Sequence, residues 1–193
     1  LTGEGAAEYL RGMIAGALPK VGRMNLAYFA DTRGRILTEM SVMRTGEEEF
    51  TLITAALAQW HDFDVLNKNL PAGLCLTDHT TEVSTLIVTG PKSRDLFENV
   101  GTDADLSTGW LTHQAATVAG KPVHLNRVSF AGELGWEVHA DMVHIPALHA
   151  AITDEGATPF GMYALNSMRI EKGYRAWKGD LSTDYTLLEG GME

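Results

Sequence analysis

The sequence predicts an α+β fold in which two similar lobes each contain a small antiparallel sheet. The first observation is an internal repeat, which has to be recognised before single elements are assigned. Three pairs of segments match with offsets of 86 or 87 residues: 2–10 with 89–97, 46–50 with 132–136, and 56–66 with 143–152. The second observation is that helices and strands follow in the same order in both copies. We therefore expect a duplicated unit, with residues 1–75 forming the first lobe and residues 76–193 the second.

The first lobe is predicted to contain two helices and three strands. Residues 5–18 have the pattern of a short helix. Strands are predicted at residues 24–29, 36–43 and 50–54, with turn residues at 31–34 between the first two. The alanine-rich residues 55–69 favour a second helix that ends before Pro71.

The second lobe repeats this order and adds a helix at its end. Its predicted strands and helices are strand 85–88, helix 91–99, strands 115–118, 122–130 and 136–139, and helix 145–156. Pro91 suits the first turn of its helix. The additional helix, residues 161–173, has apolar side chains at near-helical spacing and ends at Gly173.

The two copies differ at their beginnings. An apolar run, residues 85–88, precedes the Thr-Gly turn of the second copy, whereas only Leu1 precedes Thr2 in the first. We therefore expect the chain to begin inside a domain and to be a fragment that is truncated at both ends.

Composition limits the classes of function. With 193 residues, of which 45% are apolar, the chain can bury a core, which argues against disorder. The formal net charge of −10 argues against nucleic acid as a partner, because binding a phosphate backbone requires a basic face. No apolar run approaches the ~20 residues that span a bilayer, so no membrane partner is expected. The single Cys75 cannot form an internal disulfide, which favours a reducing compartment.

Glu39 is the first candidate for chemistry. It lies in a strand of otherwise apolar and small residues, where alternation places it on one face with Leu37 and Ser41. A carboxylate there either faces solvent on an ordinary two-sided strand or lines a cavity, where burial would raise its pKa. The pattern alone favours the solvent-facing alternative.

Two further charged residues are candidates with an ordinary structural explanation. Glu137 follows a glycine-hinged hairpin and points away from its apolar neighbours, which a solvated strand face would also explain. Arg169 on the last helix could be a surface charge paired with Glu171 or Asp180. The seven histidines show no zinc spacing, so no metal site is expected.

A glycine-rich turn near the N-terminus partly matches the dinucleotide-binding fingerprint. Gly3 and Gly5 fit that fingerprint, but Glu8 occupies the position of its third glycine. The equivalent turn in the second copy begins with Gly90 and Pro91 and has no glycine pair. We therefore expect both turns to be structural and no FAD or NAD site in this chain.

Three segments carry a resemblance to a known family: residues 128–137 (VSFAGELGWE), 160–177 and 186–191. They resemble the folate-binding aminomethyltransferase family, which comprises the glycine-cleavage T-protein and the C-terminal halves of dimethylglycine and sarcosine dehydrogenases. The last segment is more similar to the dehydrogenases than to the free T-protein. The resemblance covers essentially the whole chain. It implies two ferredoxin-like α+β lobes and further segments of the parent protein outside this chain.

The resemblance also implies roles for two carboxylates. Glu39 matches a strand carboxylate of the family, usually Asp and sometimes Glu in the dehydrogenase branch, that assists attack of the folate nitrogen on the one-carbon unit. Glu137 matches the acidic residue that binds the pterin. A carboxylate suits that role because it can accept two parallel hydrogen bonds from the amino-pyrimidine edge.

Other positions are implied to contact the folate. The resemblance places four residues in the lining of the pterin pocket: Leu26, Thr54, Ala55 and Ala56. Arg169 matches a basic residue of the folate site, where it would bind a carboxylate or a carbonyl group. Phe130 stands where many members have Tyr, so the ring is kept and the hydroxyl is lost.

The function implied is transfer of a one-carbon unit to tetrahydrofolate from a methylated glycine or aminomethyl donor, which gives 5,10-methylenetetrahydrofolate. The alternative is a non-catalytic folate-binding or structural module of a flavin-dependent dimethylglycine or sarcosine dehydrogenase. In either case FAD, if present at all, would belong to a covalently linked domain of the parent protein. The expected location is the bacterial cytoplasm or the mitochondrial matrix.

Overall fold

The computed structural model describes residues 1–192 and divides the chain into two compact units. Unit 1 comprises residues 1–78 together with the segment from Arg175 onward, and unit 2 comprises residues 79–174. The boundary after residue 78 lies close to the predicted one after residue 75. The segment from Arg175 onward was predicted in the second lobe, but it packs with unit 1. The indole N–H of Trp177 donates to the carbonyl of Leu37 at 3.0 Å, which anchors this segment.

Unit 1 contains one antiparallel sheet with strand order β1-β2-β3-β4. Its elements are α1 (Ala6–Met13), β1 (Ile14–Ala15), β2 (Met24–Ala30), β3 (Ile36–Gly46), β4 (Glu49–Ile53), a 3-10 turn (Ala56–Ala58) and α2 (Gln59–Asn67). The core lies on one face of the sheet, where Leu10, Phe29 and Phe50 are almost fully buried. The amphipathic α1 covers this face.

Two predicted helices of unit 1 are shorter than expected. Residues 5–18 were predicted as one helix, but α1 ends at Met13 because Ile14 and Ala15 pair with β2 as the edge strand β1. Residues 55–69 were predicted as helix, but Ala55 is extended and α2 begins only at Gln59. The chain therefore leaves β4 through a turn rather than directly through a helix.

Unit 2 contains a second antiparallel sheet with strand order β5-β8-β7-β6. Its elements are β5 (Val83–Thr89), α3 (Ser93–Val100), β6 (His113–Val118), β7 (Lys121–Asn126), β8 (Gly135–Asp141), a 3-10 turn (Met142–His144), α4 (Ile145–Asp154) and α5 (Met162–Glu171). Trp136 is fully buried and meets Phe97 edge-to-face, with ring centroids 5.4 Å apart. The predicted strand 122–130 ends at Asn126, so Phe130 lies in the following loop.

The two units repeat one plan, as the sequence predicts. Helix α3 lies 87 residues after α1 at both of its ends. Leu1 forms two backbone hydrogen bonds with Phe50 of β4. The equivalent residues of the second copy, Val88 of β5 and Trp136 of β8, also pair with each other. The predicted α+β class with antiparallel sheets is confirmed.

Candidate functional site

Glu39 lies in the middle of β3, on the face of the sheet that is turned away from the core. Burial alternates along this strand, with one buried and one half-buried set: Ile36, Thr38, Met40 and Val42 against Leu37, Glu39 and Ser41. The predicted alternation is thereby confirmed. Across the sheet, Tyr28 pairs with Glu39, while Leu26 and Ile53 pair with Ser41. Directly paired residues point to the same side, so Leu26, Tyr28, Glu39, Ser41 and Ile53 form one surface, here called the Glu39 face.

The Glu39 carboxyl is a perturbed acid. Burial raises its pKa from the ordinary 4.5 to about 7, and a hydrogen bond from the Tyr28 hydroxyl opposes this effect only in part. The second carboxylate oxygen, Oε2, is buried and has no hydrogen-bond partner among residues 1–192. Leaving such an acceptor unpaired costs free energy. The solvent-facing interpretation of Glu39 is therefore wrong, and one oxygen of its buried carboxyl group is left without a hydrogen-bond partner in the described residues.

Tyr28 is a hydrogen-bonding neighbour of Glu39 that sequence reasoning missed. Burial raises the pKa of the Tyr28 hydroxyl, and the nearby Glu39 raises it further, so this hydroxyl stays protonated and donates to the carboxylate. A signal for it existed in the sequence. The turn at residues 31–34 joins two predicted strands, and the resulting hairpin register places Tyr28 opposite Glu39.

The turn after β4 is tied to α2. The Thr54 hydroxyl donates to Asp62, whose side chain is almost fully buried and also lies 2.8 Å from Nδ1 of His61. Ala55 and Ala56 follow as exposed residues. The turn begins one residue after Ile53, which belongs to the Glu39 face. Of the residues predicted to line a pocket in the first lobe, Leu26 lies on the Glu39 face with 49% exposure. The other three, Thr54, Ala55 and Ala56, directly follow Ile53 in the chain.

Glu137 lies in β8 on the face opposite the buried Trp136 and Val138. Its side chain is only 18% exposed, and Oε2 lies 3.1 Å from Nε2 of His139. The other ring nitrogen of His139, Nδ1, lies 2.8 Å from the hydroxyl of Thr85. A solvated strand charge would show none of this burial or pairing, so that explanation of Glu137 is wrong. Sequence reasoning missed His139, although residues two apart on a strand share a face.

Arg169 is buried at 6% exposure, so its interpretation as a surface charge is wrong. Its guanidinium donates from Nε to Oδ1 of Asn166 at 2.8 Å and from Nη1 to the carbonyl of Tyr174 at 2.7 Å. The group also lies 5.8 Å from the centroid of the Phe130 ring. The structure thus brings Arg169 and Phe130 together in unit 2.

The matches to known proteins cover the whole chain. Residues 1–193 match the family described as the GCVT N-terminal domain. The chain belongs to this family. As a GCVT domain it is 32% identical over 203 residues to the mitochondrial dimethylglycine dehydrogenase of Homo sapiens, a match that covers 100% of this chain and 23% of that enzyme. It is also 28% identical over 196 residues to an aminomethyltransferase of Mycobacterium leprae, covering 97% of this chain and 52% of that protein.

A solved structure shares the fold of this GCVT domain. The glycine cleavage system aminomethyltransferase T of Bartonella henselae matches with a TM-score of 0.85 and 22% sequence identity, covering 96% of this chain and 51% of that one. The GCVT domain therefore spans about half the length of the aminomethyltransferases and about a quarter of the human dehydrogenase. The family resemblance drawn from the residues is confirmed, and these relatives are enzymes.

Other kinds of site are not found in the described part of the GCVT domain. Within residues 1–192, no three or more His, Cys, Asp and Glu side chains are grouped so that they could hold a metal ion. The same residues contain no helix that is long and apolar enough to cross a membrane. Cys75 is exposed and forms no disulfide.

Proposed function

We propose that this GCVT domain binds tetrahydrofolate and transfers to it a one-carbon unit at the methylene level, giving 5,10-methylenetetrahydrofolate. The donor is an aminomethyl group, or the iminium that a flavin dehydrogenase forms by two-electron oxidation of a methylated glycine. The observation that carries the proposal is Glu39, whose buried Oε2 has no hydrogen-bond partner within residues 1–192. A carboxylate with an unpaired acceptor oxygen on a strand face suits a ligand that donates an N–H hydrogen bond. Relatives named as an aminomethyltransferase and as dimethylglycine dehydrogenase support this class of reaction.

Two carboxylates of the chain fit the chemistry of a reduced folate. Glu39 would accept a hydrogen bond from a nitrogen of the folate through its carboxylate group, one oxygen of which has no partner within residues 1–192. Glu137, held by His139 through one oxygen, retains acceptor capacity for the amino-pyrimidine edge, because an ionised carboxylate offers about four lone-pair sites. When bound, tetrahydrofolate supplies the nucleophilic nitrogen atoms that receive the one-carbon unit.

Glu39 would accept the proton that is released during transfer. Burial raises the pKa of Glu39 to about 7, so near neutral pH roughly half of the carboxyl groups are ionised and can act as a base. Tyr28 would orient the carboxylate by donating to its other oxygen. Much of the rate gain would come from holding the reactants together away from water.

The remaining residues would position the folate. Arg169 is already fixed by Asn166 and Tyr174, so little side-chain freedom is lost when it binds a carboxylate or a carbonyl group of the ligand. Phe130 would offer its ring for packing. In unit 1, four residues are proposed to contact the pterin: Leu26, Thr54, Ala55 and Ala56.

Glu39→Gln tests the catalytic assignment because it keeps the shape of the side chain and removes the base. We expect turnover to fall by roughly 100-fold or more, while affinity for 5-formyltetrahydrofolate changes only a few-fold. Transfer is measured with tetrahydrofolate and an iminium generated from dimethylglycine by a separate flavin dehydrogenase, with a reaction lacking the protein as the blank. Glu98→Gln, at an exposed position of α3, is the matched control. Unchanged turnover in Glu39→Gln would remove Glu39 from the mechanism.

The same experiment separates catalysis from binding alone. If the wild-type protein binds 5-formyltetrahydrofolate but does not accelerate transfer, the alternative of a non-catalytic folate module of a flavin dehydrogenase is supported. In that case FAD would belong to a linked domain. A mitochondrial or bacterial setting is also proposed, since the human relative is mitochondrial and the other relative is bacterial.

A further inference from the structure

Glu137 is held by a short chain of hydrogen-bonded side chains on the sheet of unit 2. Thr85 on β5 and His139 on β8 pair directly across the two strands, and the Thr85 hydroxyl lies 2.8 Å from Nδ1 of His139. The opposite ring nitrogen of His139, Nε2, lies 3.1 Å from Oε2 of Glu137. The side chains of His139 and Glu137 are only 10% and 18% exposed. Their contact is therefore a largely desolvated one, unlike a surface ion pair.

The direction of the hydrogen bonds follows from the chemistry of the groups. An ionised carboxylate can only accept, so Nε2 of His139 carries the proton that is donated to Glu137. The Thr85 hydroxyl can donate to Nδ1 of a neutral ring or accept from that of a charged ring. In both cases Thr85 restricts rotation of the ring, and the ring fixes the carboxylate.

The neighbouring histidines do not compete for the carboxylate. His124 on β7 lies opposite His139 in the sheet register, but its Nε2 is engaged by Nδ1 of His113 at 2.8 Å. Burial, and then the nearby His113 and His139, lowers the pKa of His124 to about 4. His124 therefore stays neutral at physiological pH and adds no positive charge beside His139.

We propose that His139 is a positioning residue that holds the Glu137 carboxylate in the orientation needed to bind the amino-pyrimidine edge of a pterin, with Thr85 holding His139 in turn. This inference rests on the proposed function, because it assigns the ligand of Glu137. Its physical basis is pre-organisation. A carboxylate that is already oriented loses less freedom on binding, and two parallel acceptor directions are preserved for the two donors of the pterin edge.

His139→Phe tests the proposal because it keeps a planar ring and removes the donor. We expect the dissociation constant of 5-formyltetrahydrofolate, measured by calorimetry, to rise roughly tenfold. His139→Gln keeps an N–H donor at a similar distance from the backbone and should restore most of the affinity. Thr85→Val should weaken binding less, and Thr85→Ser should not weaken it. His149→Phe, at an exposed position of α4, is the matched control.

A double-mutant cycle separates positioning from a general effect on the fold. If His139 acts through Glu137, His139→Phe should have no further effect on affinity in a protein that already carries Glu137→Ala. Equal losses in both backgrounds would overturn the proposal, as would a wild-type affinity in both His139→Phe and Thr85→Val. If His139→Phe does not fold, the affinities of Thr85→Val and Thr85→Ser are compared in the same way, with and without Glu137→Ala. An absence of binding by the wild-type protein would instead contradict the proposed function itself.

Discussion

Replacing Glu39 by Gln should stabilise the protein at high pH and not at low pH. The pKa of Glu39 is about 7 in the folded protein against an ordinary value of 4.5, because the charged form is buried. Between these pH values the folded protein binds more protons than the unfolded chain. Below pH 4.5 Glu39 is neutral in both the folded and the unfolded state, and it does not lower the free energy of unfolding. As the pH rises through 7, the buried carboxyl group must ionise and the free energy of unfolding falls. At 1.36 kcal/mol per pKa unit, the loss is about 3 kcal/mol.

Urea unfolding at about pH 5 and about pH 8 measures this effect. Gln does not titrate. The free energy of unfolding of Glu39→Gln minus that of the wild type should therefore be about 2 to 3 kcal/mol larger at about pH 8 than at about pH 5. Ser41→Ala changes the same strand face without a titratable group, so its difference from the wild type should be equal at both pH values. A difference for Glu39→Gln that is also independent of pH would refute the burial argument.

Three further substitutions test a hydrogen bond, a buried hydroxyl and a close backbone contact in the two sheets. Tyr28→Phe removes the hydrogen bond that lowers the pKa of Glu39, so a carboxyl titration followed by NMR should show this pKa rising above 7. Thr38→Val removes a buried hydroxyl without a partner in residues 1–192 and should raise the free energy of unfolding by about 1 kcal/mol; a clear loss would reveal a missed partner. In Gly135→Ala the new Cβ would lie 2.6 Å from the backbone oxygen of Val88, so urea unfolding should show a loss of about 2 kcal/mol or more, with Gly109→Ala, which meets nothing within 4 Å, as control.

The fold was predictable where the signal was local or repeated. Strand alternation and the repeat identified β2, β3 and β8, and the constant offset predicted that α1 and α3 are equivalent. The two-residue strand β1 was not predictable, because two residues carry no periodic pattern and their conformation depends on pairing with β2. Packing of the C-terminal segment with unit 1 depends on contacts such as that between Trp177 and Leu37, which are 140 residues apart. Local pattern contains no information about such contacts.

The candidate residues of the site could be predicted from the sequence, but their burial and hydrogen bonding could not. A strand with Glu39 between apolar residues has the same pattern whether that face is solvated or covered, so the raised pKa of Glu39 became evident only with its burial. The burial of Arg169 could not be predicted either. Most other residues of α5 are exposed, so the helix as a whole gives no sign that this arginine is buried. His139 was within reach of sequence reasoning, since strand alternation places it beside Glu137.

Folate recognition by Glu137 is tested most directly by calorimetric titration of 5-formyltetrahydrofolate into the wild-type protein and into Glu137→Ala. We expect saturable binding to the wild type and a loss of about 2 kcal/mol, or roughly 30-fold in affinity, in the variant, because a hydrogen-bonded contact to a charged carboxylate is removed. Circular dichroism of both proteins shows that the variant is folded. No binding by the wild type, or equal affinity of the two folded proteins, would contradict folate recognition by Glu137.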